Sequence, residues 1–183
     1  SFNNINGGSI EVICAKEQSN HKQNTKLISE TLEDEKKIDN SAYKRCNERI
    51  SNTKRMLQLF LETINSEDII GYGAATKGTI VLNQCGITSK ELPFICDENP
   101  YKFDKYTPGS NIKIISKDQM RRKKPKYLLI LIWSFRSEVI KQEEEYIKAG
   151  GKLIFHLPMF HIIDKDNYMQ FIDSDFKSFS YDY

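Results

Sequence analysis

Short apolar runs alternate with helix-like segments between residues 66 and 158, and this alternation restricts the fold more than any other feature of the sequence. The strand-like runs are "DIIGYG", "LPFICD", "NIKIIS", "KYLLILIW" and "KLIFHLP". The segments between them have helical spacing, and two of them end in glycine. Near-continuous apolar strands separated by helices are typical of a parallel sheet covered on both faces. We therefore predict a doubly wound, Rossmann-like α/β domain with a mainly parallel five-stranded sheet.

One long amphipathic helix is predicted ahead of this sheet. Apolar residues recur at near-helical spacing from Asn40 to about Ile64, and charged residues lie between them. Asp39, Asn40 or Ser41 would act as the N-cap. The apolar stripe needs a partner surface, and we expect it to pack on the neighbouring sheet.

The N-terminal residues form a separate segment in this interpretation. Residues 9–16 read as a strand, and the polar, charge-rich stretch after them is either a linker or a short exposed helix. The predicted division is therefore residues 1–38 as strand and linker, residues 39–163 as the α/β domain with its leading helix, and residues 164–183 as a tail.

Charge and hydropathy exclude several classes of partner. The chain carries 27 Lys and Arg against 25 Asp and Glu, whereas nucleic-acid binding usually shows a clustered basic face. We interpret the densest basic run, residues 121–126, as a solvated turn between a helix and a strand. No run approaches the roughly 18 apolar residues that a membrane span needs. Neither a nucleic acid nor a membrane is expected as a partner.

The cysteines argue against a metal site or a disulfide framework. Cys14, Cys46, Cys85 and Cys96 stand far apart, with no CxxC pair and no histidine at ligand spacing. Three of them lie in apolar or amphipathic segments, where a free thiol packs as a small hydrophobic group. This usage suits a reducing compartment, so we predict a cytoplasmic protein without zinc.

A glycine-rich stretch, "GYGAATKGT", joins the first strand of the α/β domain to the next helix. Backbone N–H groups at a helix N-terminus favour an anion, so a phosphate is the obvious ligand. The dinucleotide fingerprint GxGxxG is not met, because Thr76 occupies the third glycine position. The P-loop order is not met either, because Lys77 precedes Gly78. The stretch is therefore either a phosphate-binding loop or a simple tight turn. In such sheets ligands bind beyond the carboxyl ends of the strands.

Several segments, in order, resemble the C-terminal domain of the sugar C-methyltransferase family. They are "GYGAATKGTIVLNQCGI", "CDENPYKFDKYTPGSNIKII" and "LLILIWSFRSEVIKQ" followed by "GGKLIFHLP". The family patterns are GYGAxxKGxxxLNxxGI, D-x-NPxKxGxxxPG and a strand that ends in PWN. This sequence departs from them at Phe103, where the glycine region begins, and at "IWS" in place of PWN. The resemblance covers most of residues 66–158.

The resemblance implies both a function and a missing part. Enzymes of this family methylate a carbon of a deoxysugar carried on a nucleoside diphosphate, and "GGSIEV" is similar to the end of their S-adenosylmethionine domain. The acidic GxGxG motif for the methyl donor and the family's zinc-ligand cysteines do not occur here. The resemblance thus implies a methyltransferase fragment that is inactive alone and has no cofactor of its own. Its partners would be a dTDP-linked sugar and the upstream domain of the same polypeptide.

The residues expected to bind the substrate follow the first, second and fourth strands, and none of them is expected to be catalytic. They are Gly71, Tyr72, Gly73, Ala74, Thr76, Lys77, Asp97, Asn99, Lys102, Tyr106 and Trp133. The small loop residues would let the backbone approach the ligand closely, and Lys77 would neutralise a phosphate. Trp133 would stack on a base or a sugar. Asp97 stands where an acidic residue commonly meets a ribose hydroxyl.

Simpler roles compete at some of these positions. Trp133 would pack at the end of a buried strand, Asp97 would cap the adjoining turn, and Lys77 would be a solvated charge. We expect His156 and His161 to be hydrogen-bonded packing residues.

Two further expectations concern the surface and the tail. The "EEE" run, residues 143–145, is predicted to be an exposed helix face. In the tail, Phe171 and Phe176 are expected to pack on the domain.

Two other functions stay open at this level. One is a non-catalytic Rossmann-like module that binds NAD or CoA, against which Thr76 counts because it replaces a glycine of the fingerprint. The other is an interaction domain with an empty cleft, in which the long helix would be the docking surface.

Overall fold

The computed structural model describes residues 1–3 and 9–172. The strands are β1 (Phe2–Asn3), β2 (Ser9–Ile10), β3 (Ile69–Tyr72), β4 (Phe94–Asp97), β5 (Lys113–Ser116), β6 (Tyr127–Ile130), β7 (Lys152–Phe155) and β8 (His161–Ile163). The helices are α1 (Thr25–Glu35), α2 (Asn40–Glu62), α3 (Thr76–Cys85), α4 (Lys117–Lys123), α5 (Arg136–Gln142), α6 (Glu144–Lys148) and α7 (Tyr168–Ile172). The chain divides into two compact units, residues 1–52 and the residues from 53 onward.

The first unit contains less strand and more helix than the sequence predicts. The strand expected over residues 9–16 is only two residues long, since β2 pairs antiparallel with the equally short β1. Val12 and Ile13, beyond β2, are exposed. Of the two alternatives for the stretch that follows, the short exposed helix is confirmed as α1, which the Asn24 side chain caps by accepting from the Leu27 N–H at 3.2 Å.

The long amphipathic helix is confirmed as α2. Asp39 is its N-cap, because the side chain of Asp39 accepts a hydrogen bond from the Ala42 N–H at 2.9 Å. The apolar stripe packs as expected only in the last turns, where Leu57 and Leu61 are buried among residues of the sheet and α3. Near the start of α2, Tyr43 is 64% exposed. The expected packing on the sheet is thus confirmed for Leu57 and Leu61.

The sheet of the second unit confirms the predicted fold class, a mainly parallel α/β sheet with helices. The strand order is β5-β4-β3-β6-β7-β8, and all neighbouring pairs are parallel except β7 and β8. The sheet has six strands rather than the expected five. The additional strand, β8, has only three residues, and a strand that short gives no clear alternation in the sequence. It extends the sheet as an antiparallel edge strand.

Apolar residues are buried on both faces of this sheet. Neighbouring residues of one strand point to opposite faces, so Ile69 and Ile70 of β3 belong to two different hydrophobic clusters. Met120 of α4 and Ile140 of α5 cover the first face, and Leu82 of α3 covers the second. Burial on both sides explains why the strands read as continuous apolar runs.

One of the helix-like segments between the predicted strands, "SEVIKQEEEYIKAGG" over residues 137–151, is interrupted. It forms two short helices, α5 and α6, that meet at Glu143. The backbone of Glu143 has φ −104° and ψ 16°, outside the regular helical range, although its N–H still donates to the Val139 carbonyl at 2.9 Å. Glu143 keeps the helical spacing of the buried Val139 and Ile147, so its side chain lies on the same side as theirs.

Two expectations about packing are confirmed in part. Phe171, in α7, packs against the first hydrophobic cluster, whereas Phe176 lies outside the described residues. Cys85 and Cys96 are buried, but Cys14 and Cys46 are exposed, so thiol packing holds for two cysteines rather than three. Within residues 1–3 and 9–172, none of the helices combines the length and hydrophobicity that a membrane span requires.

Candidate functional site

The candidate site lies where the parallel strands end. β4 and β5 lie on one side of β3, while β6 and β7 lie on the other, so the strand order reverses between β3 and β6. Tyr72, the last residue of β3, is level with Cys96 of β4 and Ile130 of β6. Ligands of doubly wound sheets bind in the crevice at such a switch point. The glycine-rich loop leaves β3 at this point.

Two glycines in the loop are required by its geometry. Gly73 has φ +90°, and a Cβ atom there would lie 2.6 Å from Cγ2 of Ile132. A Cβ atom on Gly78 would lie 2.7 Å from Cβ of Leu131, so this glycine allows α3 to approach the strand segment after β6 closely. Gly78 thus has the helix-packing role of the third glycine of the dinucleotide fingerprint, two positions beyond Thr76.

The start of α3 faces this edge without a side-chain cap. Its N-cap residue is Ala75, which makes no side-chain hydrogen bond to the first turn. Thr76 and Lys77, the first two residues of α3, are exposed. The first N–H groups of a helix have no partner within the helix and carry a partial positive charge, so this geometry suits an anion.

Asp97 connects the loop after β4 to the glycine-rich loop. Its Oδ2 accepts from the Ala74 N–H at 2.8 Å and from Nζ of Lys102 at 2.9 Å, and its Oδ1 accepts from the Asn99 N–H at 2.9 Å. Nζ of Lys102 also donates to the Ala74 carbonyl at 3.0 Å. Both oxygens of Asp97 therefore accept hydrogen bonds within the protein, and Asp97 and Lys102 hold the shape of the two loops.

Tyr101 is an exposed aromatic residue that the sequence analysis missed. It lies in a 3-10 turn over Pro100–Lys102, where the Asn99 side chain accepts from the Tyr101 N–H at 3.0 Å. Its neighbour Lys102 is attached to Ala74 of the glycine-rich loop. Tyr101 is 84% exposed, so a fixed turn presents its ring to solvent beside the loop. An aromatic residue inside the "NPYK" turn was the available signal.

Two of the expected substrate-binding residues do not join the others. Tyr106 pairs with Lys113 at the start of β5, whereas the carboxyl end of β5 is Ser116. Lys113 and Ser116 are three positions apart along β5, a distance of roughly 10 Å. The second exception is Tyr72, whose side chain is buried on the face of the sheet covered by α4 and α5.

Tyr72 contacts a buried glutamate, Glu143. The Tyr72 hydroxyl donates to Oε1 of Glu143 at 2.9 Å, and Arg121 of α4 donates to Oε2 of Glu143. Glu143 is 0% exposed. The prediction that residues 143–145 form an exposed helix face is therefore wrong for Glu143, because it lies four residues after Val139 and four before Ile147, on the buried side of the two helices. Burial and the negative charge of Glu143 raise the pKa of Tyr72.

Further polar residues extend this contact to the loop after β4. The Gln142 side chain lies 2.9 Å from the Tyr72 hydroxyl and donates from Nε2 to Glu98 at 3.0 Å. Nζ of Lys117 lies 2.7 Å from Glu98, 3.8 Å from Glu143 and 4.8 Å from the centre of the Tyr72 ring. The residues that follow β4 and β5 are thus joined to the end of α5.

The basic run, residues 121–126, is only partly the solvated turn that was expected. Arg121 pairs with the buried Glu143, and Nζ of Lys123 lies 4.1 Å from the centre of the Phe94 ring. Nζ of Lys126 is 2.9 Å from Asp68. Through these contacts the basic run holds α4 and the segment before β6 against neighbouring elements.

A second buried titratable residue, His156, follows β7. It is 0% exposed, its ring is edge-on to Trp133 with centroids 4.9 Å apart, and neither ring nitrogen has a hydrogen-bond partner among the described residues. Burial lowers the pKa of His156 to about 4, an effect that the Ile130 carbonyl opposes. The expected hydrogen bond is not formed with full geometry by His156, which faces the Ile130 carbonyl, but it is confirmed for His161, whose Nδ1 lies 2.8 Å from the Met159 carbonyl oxygen.

Ten of the eleven expected residues lie near the carboxyl ends of the strands, and Tyr72 differs from the other nine because its side chain is buried in a hydrophobic cluster. The other nine are Gly71, Gly73, Ala74, Thr76, Lys77, Asp97, Asn99, Lys102 and Trp133. Trp133 is half-buried and packs against the first hydrophobic cluster. Among the described residues, no three His, Cys, Asp or Glu side chains are grouped so that they could hold a metal ion.

Comparison with known proteins agrees with the resemblance that the motifs show. The model of the C-methyltransferase C-terminal domain family matches residues 4–158. The chain is also 29% identical, over 168 residues, to the C-methyltransferase NovU of Streptomyces niveus. This alignment covers 89% of the chain but 40% of NovU, so the chain spans less than half the length of this curated relative. The chain belongs to the C-methyltransferase C-terminal domain family.

Proposed function

We propose that this chain is the nucleotide-sugar-binding part of a cytoplasmic sugar C-methyltransferase. The observation that carries the proposal is the glycine-rich loop at the switch point, followed by a helix start without a side-chain cap, in a member of this family. An upstream part of the same polypeptide would bind S-adenosylmethionine. That part would supply the base that removes a proton next to a carbonyl, and the positioned donor would then methylate the carbon.

The diphosphate of the substrate would bind at the start of α3. The N–H groups of the first turn would donate to phosphate oxygens, and the exposed ammonium group of Lys77 would add a positive charge. Tyr101 offers a flat aromatic face for the nucleobase beside the same loop. The role of this part is to hold and orient the sugar, so the chain alone would bind nucleotide without transferring a methyl group.

The dinucleotide alternative has less support. A ribose hydroxyl of NAD would need an acceptor at the end of β4, but Asp97 there already accepts three hydrogen bonds, from Ala74, Asn99 and Lys102, and its side chain is mostly buried. Only one lone-pair site on Oδ1 would be left for such a hydroxyl, because each carboxylate oxygen accepts two hydrogen bonds.

Calorimetric titration tests the proposal. The chain is titrated with dTDP, NAD and S-adenosylmethionine, as wild type, as Lys77→Ala and as Lys90→Ala. Lys90 is an exposed lysine beyond the other end of α3 and serves as the matched control. We expect dTDP alone to bind, with affinity about tenfold weaker in Lys77→Ala and unchanged in Lys90→Ala. Binding of NAD instead would favour the dinucleotide alternative, and no binding of any of the three would contradict the proposal for this chain.

A further inference from the structure

We propose that Glu143 is a positioning residue for the glycine-rich loop. Together with the buried Tyr72 and the exposed Gln142 it forms a polar junction that fixes the carboxyl ends of β3 and β4, and through them the loop from Gly73 to Lys77. The expected effect on ligand affinity rests on the function proposed above, whereas the effect on the loop itself does not.

Glu143 is fully buried. A carboxylate removed from water is strongly unfavourable unless it is paired and hydrogen-bonded. Here both oxygens have a donor, Oε1 from the Tyr72 hydroxyl and Oε2 from Arg121. An apolar side chain of similar volume would fill the same space without that requirement. A fully buried carboxylate with directional partners therefore determines where those partners lie.

Covalent and hydrogen-bonded connections join the junction to the glycine-rich loop. Tyr72 is the last residue of β3 and directly precedes Gly73. At the end of the neighbouring strand β4, Glu98 accepts a hydrogen bond from Gln142. Asp97, which directly precedes Glu98, accepts one from the Ala74 N–H. The ends of β3 and β4 are thus both hydrogen-bonded to Gln142 or Glu143. Loss of these bonds would leave the loop without support from either strand end.

Two control variants distinguish an effect on the position of the loop from an effect on the stability of the whole fold. Glu145 is the same residue type two positions later, but its side chain is 94% exposed, so Glu145→Gln is a matched control for charge. Ile154→Val is the control for stability, because Ile154 is fully buried in the other hydrophobic cluster. It should weaken the fold without touching the junction.

Hydrogen exchange of the Ala74 amide, read by NMR, is the direct test. We expect Glu143→Ala and Tyr72→Phe to raise its exchange rate about tenfold or more over wild type, because each removes a hydrogen bond to a buried charged group. Glu143→Gln keeps an acceptor for Tyr72 and should restore most of the protection. Glu145→Gln and Ile154→Val should leave the Ala74 rate, relative to the most protected core amides, at the wild-type ratio. If Glu143→Ala fails to fold, Tyr72→Phe and Glu143→Gln still test whether the junction positions the loop.

The affinity for dTDP is measured on the same proteins. We expect Tyr72→Phe to bind about tenfold more weakly and Ile154→Val to bind like wild type. Equal relative exchange at Ala74 in Tyr72→Phe and Ile154→Val would overturn the inference. A faster Ala74 amide in a chain whose wild type does not bind dTDP would support the positioning of the loop while contradicting the proposed function.

Discussion

Glu143 and His156 are both fully buried and titratable, yet the protein surrounds them differently. Each carboxylate oxygen of Glu143 accepts a hydrogen bond, and Lys117 lies 3.8 Å away. By contrast, neither ring nitrogen of His156 has a hydrogen-bond partner among the described residues, and Trp133 packs against the ring. The first region accommodates polar groups by pairing them, and the second by apolar packing.

The difference shows which partners a charged group and a neutral group need when they are buried. An ionised carboxylate can be buried only with compensating partners. A neutral imidazole carries no net charge, so the protein can bury it with fewer partners if it stays unprotonated, and the pKa of His156 is accordingly lowered to about 4. We expect the two regions to respond in opposite directions when their polar groups are removed.

The largest effect is expected from removing the Glu143 carboxylate. Glu143→Leu leaves the Tyr72 hydroxyl buried without its charged acceptor and Arg121 without its partner. We predict a loss of about 3 kcal/mol in the free energy of unfolding, toward the lower end for a broken buried pair because Arg121 is partly exposed. Urea unfolding measures it. Glu145→Leu, on the exposed side of α6, should change stability by less than about 0.5 kcal/mol, and equal losses in the two variants would contradict the comparison.

The next effect concerns the pH dependence of stability at His156. Its pKa is about 4 in the folded chain and 6.5 in the reference state. A folded-state pKa below the unfolded value means that the contribution is complete above about pH 6.5 and is lost as the pH falls toward 4. We predict that His156 accounts for a loss of about 2 kcal/mol between pH 7 and pH 5.

Urea unfolding at both pH values, for wild type and His156→Phe, isolates this contribution. His161 lies nearby, and burial lowers its pKa as well, so part of the acid sensitivity should remain in the variant. Arg136, also buried, opposes protonation of His161. An unchanged pH slope in His156→Phe would show that the imidazole is not the group that titrates.

The sequence is sufficient to predict the sheet because its signal is local and repeated. β3, β6 and β7 read as apolar runs since both faces of each strand are buried. The glycine closing α3 was also predictable, because Gly86 adopts the left-handed conformation of a helix C-cap. By contrast, β8 is a three-residue edge strand, and such a strand carries too few residues to show a period.

The polar junction could not be predicted in the same way. Glu143 has the helical spacing of the apolar residues Val139 and Ile147, so its burial had a local signal, but its partner Tyr72 lies 71 positions away in the chain. The site shows the same limit. Asp97 and Lys102 were predictable as residues of the strand-end loops, but their mutual contact and their bonds to Ala74 arise only when two strands are paired. Partners far apart in sequence leave no periodic signal.

A smaller effect separates the buried Tyr72 from the partly buried Tyr146. Tyr72 donates to a carboxylate, whereas Tyr146 donates to the Pro125 carbonyl at 3.1 Å. Hydrogen bonds to charged groups contribute more than bonds between neutral groups, so Tyr72→Phe should lower the free energy of unfolding by about 1.5 kcal/mol and Tyr146→Phe by about 1 kcal/mol or less. Chemical unfolding of both variants at pH 7 makes the comparison. The reverse order would mean that Glu143 is not the acceptor that stabilises Tyr72.

The smallest effect has the opposite sign. His156→Phe removes two buried ring nitrogens that make no hydrogen bond of good geometry, together with their contact to the Ile130 carbonyl, and replaces them with carbon in a ring that can stay edge-on to Trp133. A buried polar group without a partner is unfavourable, so we predict a gain of about 1 kcal/mol at pH 7, seen as a higher urea midpoint with an unchanged slope. Ile154→Val provides the reference for a change of core shape, which should lower the midpoint. A loss in His156→Phe as large as that in Ile154→Val would mean that the imidazole nitrogens stabilise the fold in solution, and the contrast with Glu143 would then fail at its second member.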